Sequence, residues 1–160
     1  MRYNDDMKQR VYIDASVIGG CEDEEFSKWS IQLFNEFRQG LRIAVVSDLT
    51  LKEIEKAPEN VKKVLLSLPE KNIENVFLTE EAEDLAQKYI SEGIVSSKHI
   101  IDTQHIAISS IERVDVLVSW NFKQMVNLEL IHAFNAVNLK LGYPMLEIRS
   151  PREVVYEEKI

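Results

Sequence analysis

Short β-branched and apolar runs alternate along this chain with longer stretches of helical period, and that alternation predicts most of its elements. Val11-Tyr12-Ile13-Asp14-Ala15 reads as a first strand over 11–15 that ends in one carboxylate, with Ser16 and the pair Gly19-Gly20 behind it. The glycines and the acidic run Glu22-Asp23-Glu24-Glu25 read as a loop. It leads into a helix capped by Asp23, with Phe26, Trp29, Ile31, Leu33, Phe34 and Phe37 apolar and Gly40 as its stop. Ile43-Ala44-Val45-Val46 is a second buried strand, and Ser47 or Asp48 caps a helix from Leu49 to about Lys56, before Pro58. Residues 59–68 form a further short helix closed by Pro69, and Val76-Phe77-Leu78 is a third strand. Thr79 caps a helix over about 80–92, which Gly93 ends, and Ser96 or Ser97 introduces the next, over about 99–112. Asp115-Val116-Leu117-Val118-Ser119 is a fourth strand, followed by the corner Trp120-Asn121 and a helix from about Phe122 to Leu139. After the turn Gly142-Tyr143-Pro144, Leu146-Glu147-Ile148 is a short fifth strand at the sheet edge. Ser150-Pro151-Arg152-Glu153 places a cap, an N1 proline and an N3 glutamate in order for a last helical turn.

Strands that alternate with helices imply an α/β fold with a mainly parallel sheet of four or five strands, covered by helices on both faces. No repeat or linker divides the 160 residues, so one domain is expected, with an ordered core over about 10–150 and a frayed polar start at 1–9. The net charge of −8 and pI near 5.0 argue against a broad basic surface that grips nucleic acid. They leave open an enzyme that reaches phosphodiesters through metal ions, and they suit a basic protein partner. A single cysteine excludes an intramolecular disulfide and a cysteine-based zinc site. With no charged-then-apolar leader the chain reads as cytoplasmic, and no apolar run approaches the roughly 20 residues that span a bilayer.

Several standard catalytic signatures are missing: the glycine-rich phosphate loop ending Lys-Ser/Thr, GxGxxG after a strand, GxSxG and HExxH. What remains is a set of dispersed acids near predicted element ends. Asp14 follows three residues of buried-strand character, where an unpaired carboxylate is costly and needs a helix N-terminus, a base or a cation. As bland alternatives, Asp14 is a loop cap, Glu53 a solvated helix former and Asp102 a first-turn acid favoured by the helix dipole. His105 shares a face with Ile101 and Ile108 and reads as a hydrogen-bonded core histidine rather than a ligand. His99 stands just before Asp102, and Cys21 and His132 have no partner in sequence and read as structural or exposed. Asn121 either caps a turn or offers its amide oxygen to a metal, and Trp120 reads as packing rather than base stacking.

Four blocks, VYIDASVIG (11–19), VSDLTLKEIEK (46–56), IIDTQHIAIS (100–109) and VDVLVSWNFKQMVN (114–127), occur in an order that resembles the PIN-domain family. The likeness is strongest to its toxin-like branch in prokaryotic type II toxin–antitoxin modules (VapC-like). It covers nearly the whole chain; the tail beyond about 136 adds little. The resemblance implies a compact α/β/α sandwich and a metal-dependent ribonuclease. Asp14 matches the family's first-strand aspartate, Glu53 the helix glutamate after the second strand, and Asp102 the aspartate before the His-Ile-Ala segment. Asn121 matches a fourth site where many members carry Asp, a departure that removes one negative charge and questions a second metal rather than the site. Ser16 and Ser119 match small polar residues beside the first and fourth positions, where they would touch water or substrate.

Oxygen ligands without cysteine or an obligatory histidine select Mg²⁺ or Mn²⁺ over zinc. Asp14 and Asp102 would bind it most directly, and Glu53 and Asn121 directly or through water, either of them orienting the attacking water, for in-line hydrolysis of an RNA phosphodiester. A small basic antitoxin and a homodimer are the partners implied. Two rivals stand beside this expectation. One is a non-catalytic PIN-like module that binds RNA or protein. The other, more remote, is a receiver-type signalling domain, which needs an acceptor aspartate after its middle strand where this chain has Thr79-Glu80.

Overall fold

Five parallel strands in the order β3-β2-β1-β4-β5 carry the molecule, and the computed structural model describes residues 8–156. The strands are β1 (Gln9–Ile13), β2 (Arg42–Ser47), β3 (Ile73–Val76), β4 (Val116–Val118) and β5 (Ile148–Arg149). The helices are α1 (Ala15–Gly19), α2 (Ser27–Arg38), α3 (Asp48–Ile54), α4 (Glu59–Leu66), α5 (Glu80–Ser91), α6 (Ile100–Ile111), α7 (Leu128–Lys140) and α8 (Pro151–Val154).

Side chains alternate across a strand, so β1 feeds two cores. Val11 and Ile13 join Ala44, Val46, Val116 and Val118 against Val17, Leu33, Phe34, Phe37, Val61 and Leu65 on one face. Tyr12 joins Val45 and Leu117 against Leu85, Tyr89, Ile106, Ile108 and Phe134 on the other. The helices therefore sort into two layers: α1, α2 and α4 on the first face and α5, α6 and α7 on the second. This is the three-layer α/β/α sandwich with a parallel sheet that the pattern and the resemblance together imply.

Where elements differ from expectation, local hydrogen bonds explain it. β1 starts at Gln9 and stops at Ile13, because Gln9 and Arg10 pair with Arg42 and Ile43 and the Arg10 N–H donates to the Asp115 carboxylate at 2.7 Å. Of the expected frayed start, residues 1–7 lie outside the described residues, whereas Gln9 is already strand. The expected glycine loop is helical: α1 runs through Gly19 and Gly20–Glu22 adds a 3₁₀ turn. Asp23 caps no long helix but accepts from the Glu25 and Phe26 N–H groups, and α2 begins only at Ser27. The third strand is Ile73–Val76, not 76–78, because its register with β2 ends at Ser47↔Val76 and the Leu78 N–H turns to the Asp48 carboxylate at 2.9 Å. The helix expected from Phe122 starts at Leu128: the Asn121 side chain takes the Gln124 N–H at 3.0 Å, closing a turn, and Asn127 caps α7 by accepting from Leu130 N–H. β5 is displaced to Ile148–Arg149, since the Leu146 N–H and C=O are both taken by the Asn135 carboxamide. The last turn forms as read, with the Glu153 carboxylate accepting from the Ser150 N–H and hydroxyl, each at 3.0 Å.

Candidate active site

From β1 the chain moves outward through β2 to β3, then returns to the other side of β1 as β4 and continues to β5. The reversal falls between the carboxyl ends of β1 and β4, the crevice where open α/β sheets place ligands. Asp14 follows β1 there and Ser119 follows β4.

Asp14 is 5% exposed and held from three directions. The Ser16 hydroxyl donates to Oδ1 at 2.5 Å, the Ser119 hydroxyl to Oδ2 at 2.6 Å, and the Val17 N–H to Oδ1 at 3.3 Å, which makes Asp14 the N-cap of α1. Both hydroxyls are anchored in turn. The Ser16 Oγ accepts the Trp120 backbone N–H at 3.0 Å and the Ser119 Oγ accepts the Asn121 N–H at 3.0 Å. Trp120 is fixed by a stack on Phe26, with ring centres 4.1 Å apart and planes within 14°, and by donation of its indole N–H to Ser30 at 2.9 Å. It packs, as read.

Asp102, in the first turn of α6, is partly buried, with His99 Nδ1 at 3.7 Å from its Oδ2. Glu53, near the end of α3, is the most open of the three acids, its side chain 38% exposed, and its Oε1 meets His105 Nε2 at 2.7 Å. His105 itself is 1% exposed, and its Nδ1 lies 2.6 Å from the Tyr12 hydroxyl. It is the hydrogen-bonded core histidine that the sequence indicates, and it also reaches the acids.

The electrostatics tie these groups together. Burial pushes the Asp14 carboxyl above the ordinary carboxylate range; His105 and the Ser119 and Ser16 hydroxyls oppose this, and Glu53 adds to it. Burial likewise raises Asp102, opposed by His105 and His99 and reinforced by the charges of Asp14 and Glu53. Acids 39 and 88 positions from Asp14 along the chain (53 − 14 and 102 − 14) therefore feel one another across the end of the sheet, with His105 among them.

Other expected positions fall differently. The Asn121 carboxamide oxygen accepts the Gln124 N–H and keeps a second lone pair, while its own N–H donates to Ser119 Oγ. Ser16 and Ser119 point at Asp14. Cys21 is buried, with its thiol pushed up to about 11 by burial, and His132 is exposed. Sequence reasoning missed the roles of Tyr12 and Thr50, and gave Ser47 only as the cap of α3, which it is. Tyr12 is fully buried, its hydroxyl lies 2.6 Å from Ser47 Oγ, and the Thr50 hydroxyl donates to the Ile13 carbonyl at 3.0 Å. The usable signal is a tyrosine inside an otherwise apolar strand, whose hydroxyl must find a partner.

As a donor set, three carboxylates beside hydroxyls suit a hard divalent cation, and each carboxylate oxygen that accepts one hydrogen bond keeps a second lone pair. Among the described residues, no group of three or more His, Cys, Asp or Glu side chains is placed so that it could hold a metal ion. Mg²⁺ does not demand a cage, because it keeps several waters and is held by one or two carboxylates. The residues fit such an ion on chemistry.

No protein-family model and no curated protein sequence matches the chain. Solved structures do. VapBC2 from Rickettsia felis, bound to a DNA fragment from its promoter, matches with a TM-score of 0.58 at 10% identity over 89% of this chain and 98% of that one. DNA-bound VapBC from Salmonella typhimurium gives 0.56 at 14% identity over the same shares, 89% and 98%. The sarcin-ricin-loop-cleaving toxin VapC20 of Mycobacterium tuberculosis gives 0.55 at 8% identity over 71% of this chain and 91% of that one. At such identities it is the fold that is shared: the chain has the VapC-like PIN-domain fold, as its four sequence blocks indicate.

Proposed function

We propose that this protein is a Mg²⁺- or Mn²⁺-dependent endoribonuclease, a hydrolase of RNA phosphodiester bonds, and the toxin of a type II toxin–antitoxin pair. The observation that supports the proposal is that Asp14 is buried at the switch point of the sheet and Asp102 is partly buried near enough that the Asp14 and Glu53 charges raise its proton affinity, while Glu53 raises that of Asp14. Such a site gains by binding a cation in place of protons.

Asp14 and Asp102 would hold the ion, and Glu53 would hold it directly or through water. When bound, the ion supplies a water of lowered pKa and neutralises charge on the phosphoryl oxygens. The protein's own residues do the rest. Ser16 and Ser119 fix the Asp14 carboxylate in one rotamer, so that it does not swing away. Glu53, the most open acid, orients the attacking water by accepting its proton in a hydrogen bond. Asn121 braces Ser119 through its N–H, and its carboxamide oxygen, which accepts one N–H and keeps a second lone pair, would bind the ion directly or through water. His99 lies at the mouth beside Asp102, where a phosphate would pass. A small antitoxin with a basic segment suits the acidic crevice and the net charge of −8, and the protein is proposed to act as a homodimer.

The test is cleavage of an RNA pool with Mn²⁺ by the purified protein and by Asp14→Asn. Cleavage by the wild type, blocked by EDTA and reduced at least about a hundredfold in the variant, supports the proposal. Equal cleavage by both sinks it. A second function, a non-catalytic binding module, is favoured by one feature, that no group of three or more His, Cys, Asp or Glu among the described residues could hold a metal ion; RNA binding without Mn²⁺-dependent cleavage would establish it.

A further inference from the structure

Glu53 is a glutamate near the open end of a seven-residue helix, where such a side chain ordinarily samples many rotamers. Here, although exposed, it has a buried partner. Its Oε1 meets Nε2 of a histidine that is 1% exposed, at 2.7 Å. Behind the ring stands Tyr12, fully buried, its hydroxyl 2.6 Å from Nδ1. Behind Tyr12 stands Ser47, whose Oγ is 2.6 Å from the same hydroxyl and accepts the Thr50 N–H at 3.3 Å. The rings of Tyr12 and His105 meet edge to face, with centres 5.6 Å apart.

The protons on this line can be assigned from its ends. A carboxylate only accepts, so His105 Nε2 carries the hydrogen toward Glu53. In the neutral ring Nδ1 is then an acceptor and takes the Tyr12 proton, whereas in the protonated ring, whose charge lowers the Asp14 and Asp102 carboxyls, Nδ1–H donates to Tyr12 instead. With the ring neutral, the Tyr12 oxygen in turn accepts from Ser47. Every donor in the line then points the same way, from the buried end of β2 through β1 and α6 to the surface acid on α3.

We propose that Tyr12 and His105 are positioning residues for Glu53: Tyr12 selects the Nε2–H tautomer of His105, and His105 aims the Glu53 carboxylate into the Asp14–Asp102 crevice. This rests on the proposed metal-dependent site. It adds that the cation's hold on Glu53 depends on a hydroxyl that touches neither cation nor substrate. The geometry is that of a carboxylate oriented through a histidine whose other nitrogen is fixed, a linkage whose loss usually costs 10- to 100-fold in metal affinity.

The test uses the full chain and Mn²⁺ alone as the probe, with free Mn²⁺ read by electron paramagnetic resonance. Tyr12→Phe should weaken Mn²⁺ binding by about tenfold in the wild-type background and have no effect in a Glu53→Gln background. Equal weakening in both backgrounds, or none in either, overturns the proposal. His105→Gln, which restores an amide donor near Nε2, should recover most of the affinity lost in His105→Leu; no recovery overturns the role of the Nε2–H. In the metal-free protein, imidazole ¹⁵N shifts should show protonated Nε2 and bare Nδ1, and the Nδ1–H form would contradict the assignment. A wild type that shows this coupling yet cleaves no RNA refutes the nuclease function and leaves the positioning of Glu53 supported.

Discussion

Asp14 is the residue on which the site turns, and its cost to the fold is measurable. Burial raises its carboxyl, so the folded state binds that proton more tightly than the unfolded chain, whose group keeps the ordinary value of 3.8. A raised carboxyl contributes stability that is complete below the unfolded value and is lost as pH rises through the folded one. Metal-free protein should therefore lose this contribution toward neutrality. Asp14→Asn should be the more stable protein at pH 7, by urea midpoint, and the gap should close as the pH falls toward 3.8. A variant less stable than wild type at pH 7 would mean that the serine bonds outweigh burial. Asp14, Glu53 and Asp102 could be proposed from the sequence because each sits in a recognisable block. Tyr12 was not, because its strand reads as apolar and nothing in spacing says that residue 105 will stand beside residue 12. The two meet only through the packing of α6 on the sheet.

At the scale of elements, the turn between β1 and α2 sets the rest. Gly20 is needed for space, not for backbone freedom: a Cβ there would lie 2.5 Å from Ser30 Oγ and 2.6 Å from the Trp120 indole nitrogen. Gly20→Ala should cost about 1–3 kcal/mol by overpacking. It should also lower cleavage, because Trp120 carries the N–H that holds Ser16; urea titration and the RNA assay check the two effects. A silent Gly20→Ala would show that Trp120 moves freely. At α7, Asn127→Ala should lose about 1 kcal/mol with the cap, seen as a lower melting temperature. Expectation merged the 122–126 turn with this helix because apolar residues continue across it. The break comes from two asparagine side chains, Asn121 and Asn127, that compete for backbone N–H groups. Inside α7, Asn135 and Asn138 do not weaken the helix, since each is buried and bonded: Asn138 to Tyr89, Ser110 and Pro144, Asn135 to both backbone groups of Leu146. Sequence propensity counts their cost and is blind to these partners.

The whole molecule combines an acidic surface with an acidic crevice. Among the described residues no helix is long and apolar enough to cross a membrane. Alternating strands and helices made the layered parallel sheet readable before any coordinates. The strand order was not, because the pattern is silent on which side of β1 the returning β4 will lie, and that choice creates the switch point beside which Asp14 and Ser119 stand. Mutual repulsion there predicts that divalent cations stabilise the protein. Mg²⁺ at a hundred times its dissociation constant should add about 2.7 kcal/mol to unfolding, and Asp102→Asn should abolish most of that gain. An unchanged melting temperature with Mg²⁺ would argue that the carboxylates are too far apart to share an ion.

The most direct measurement is the anomalous difference map of a crystal soaked in Mn²⁺. The account predicts a peak at the carboxyl ends of β1 and β4, bonded to Asp14 or Asp102 and within direct or one-water reach of Glu53. A Mn²⁺ ion bound elsewhere, with nothing beside Asp14 at saturating concentration, would contradict it.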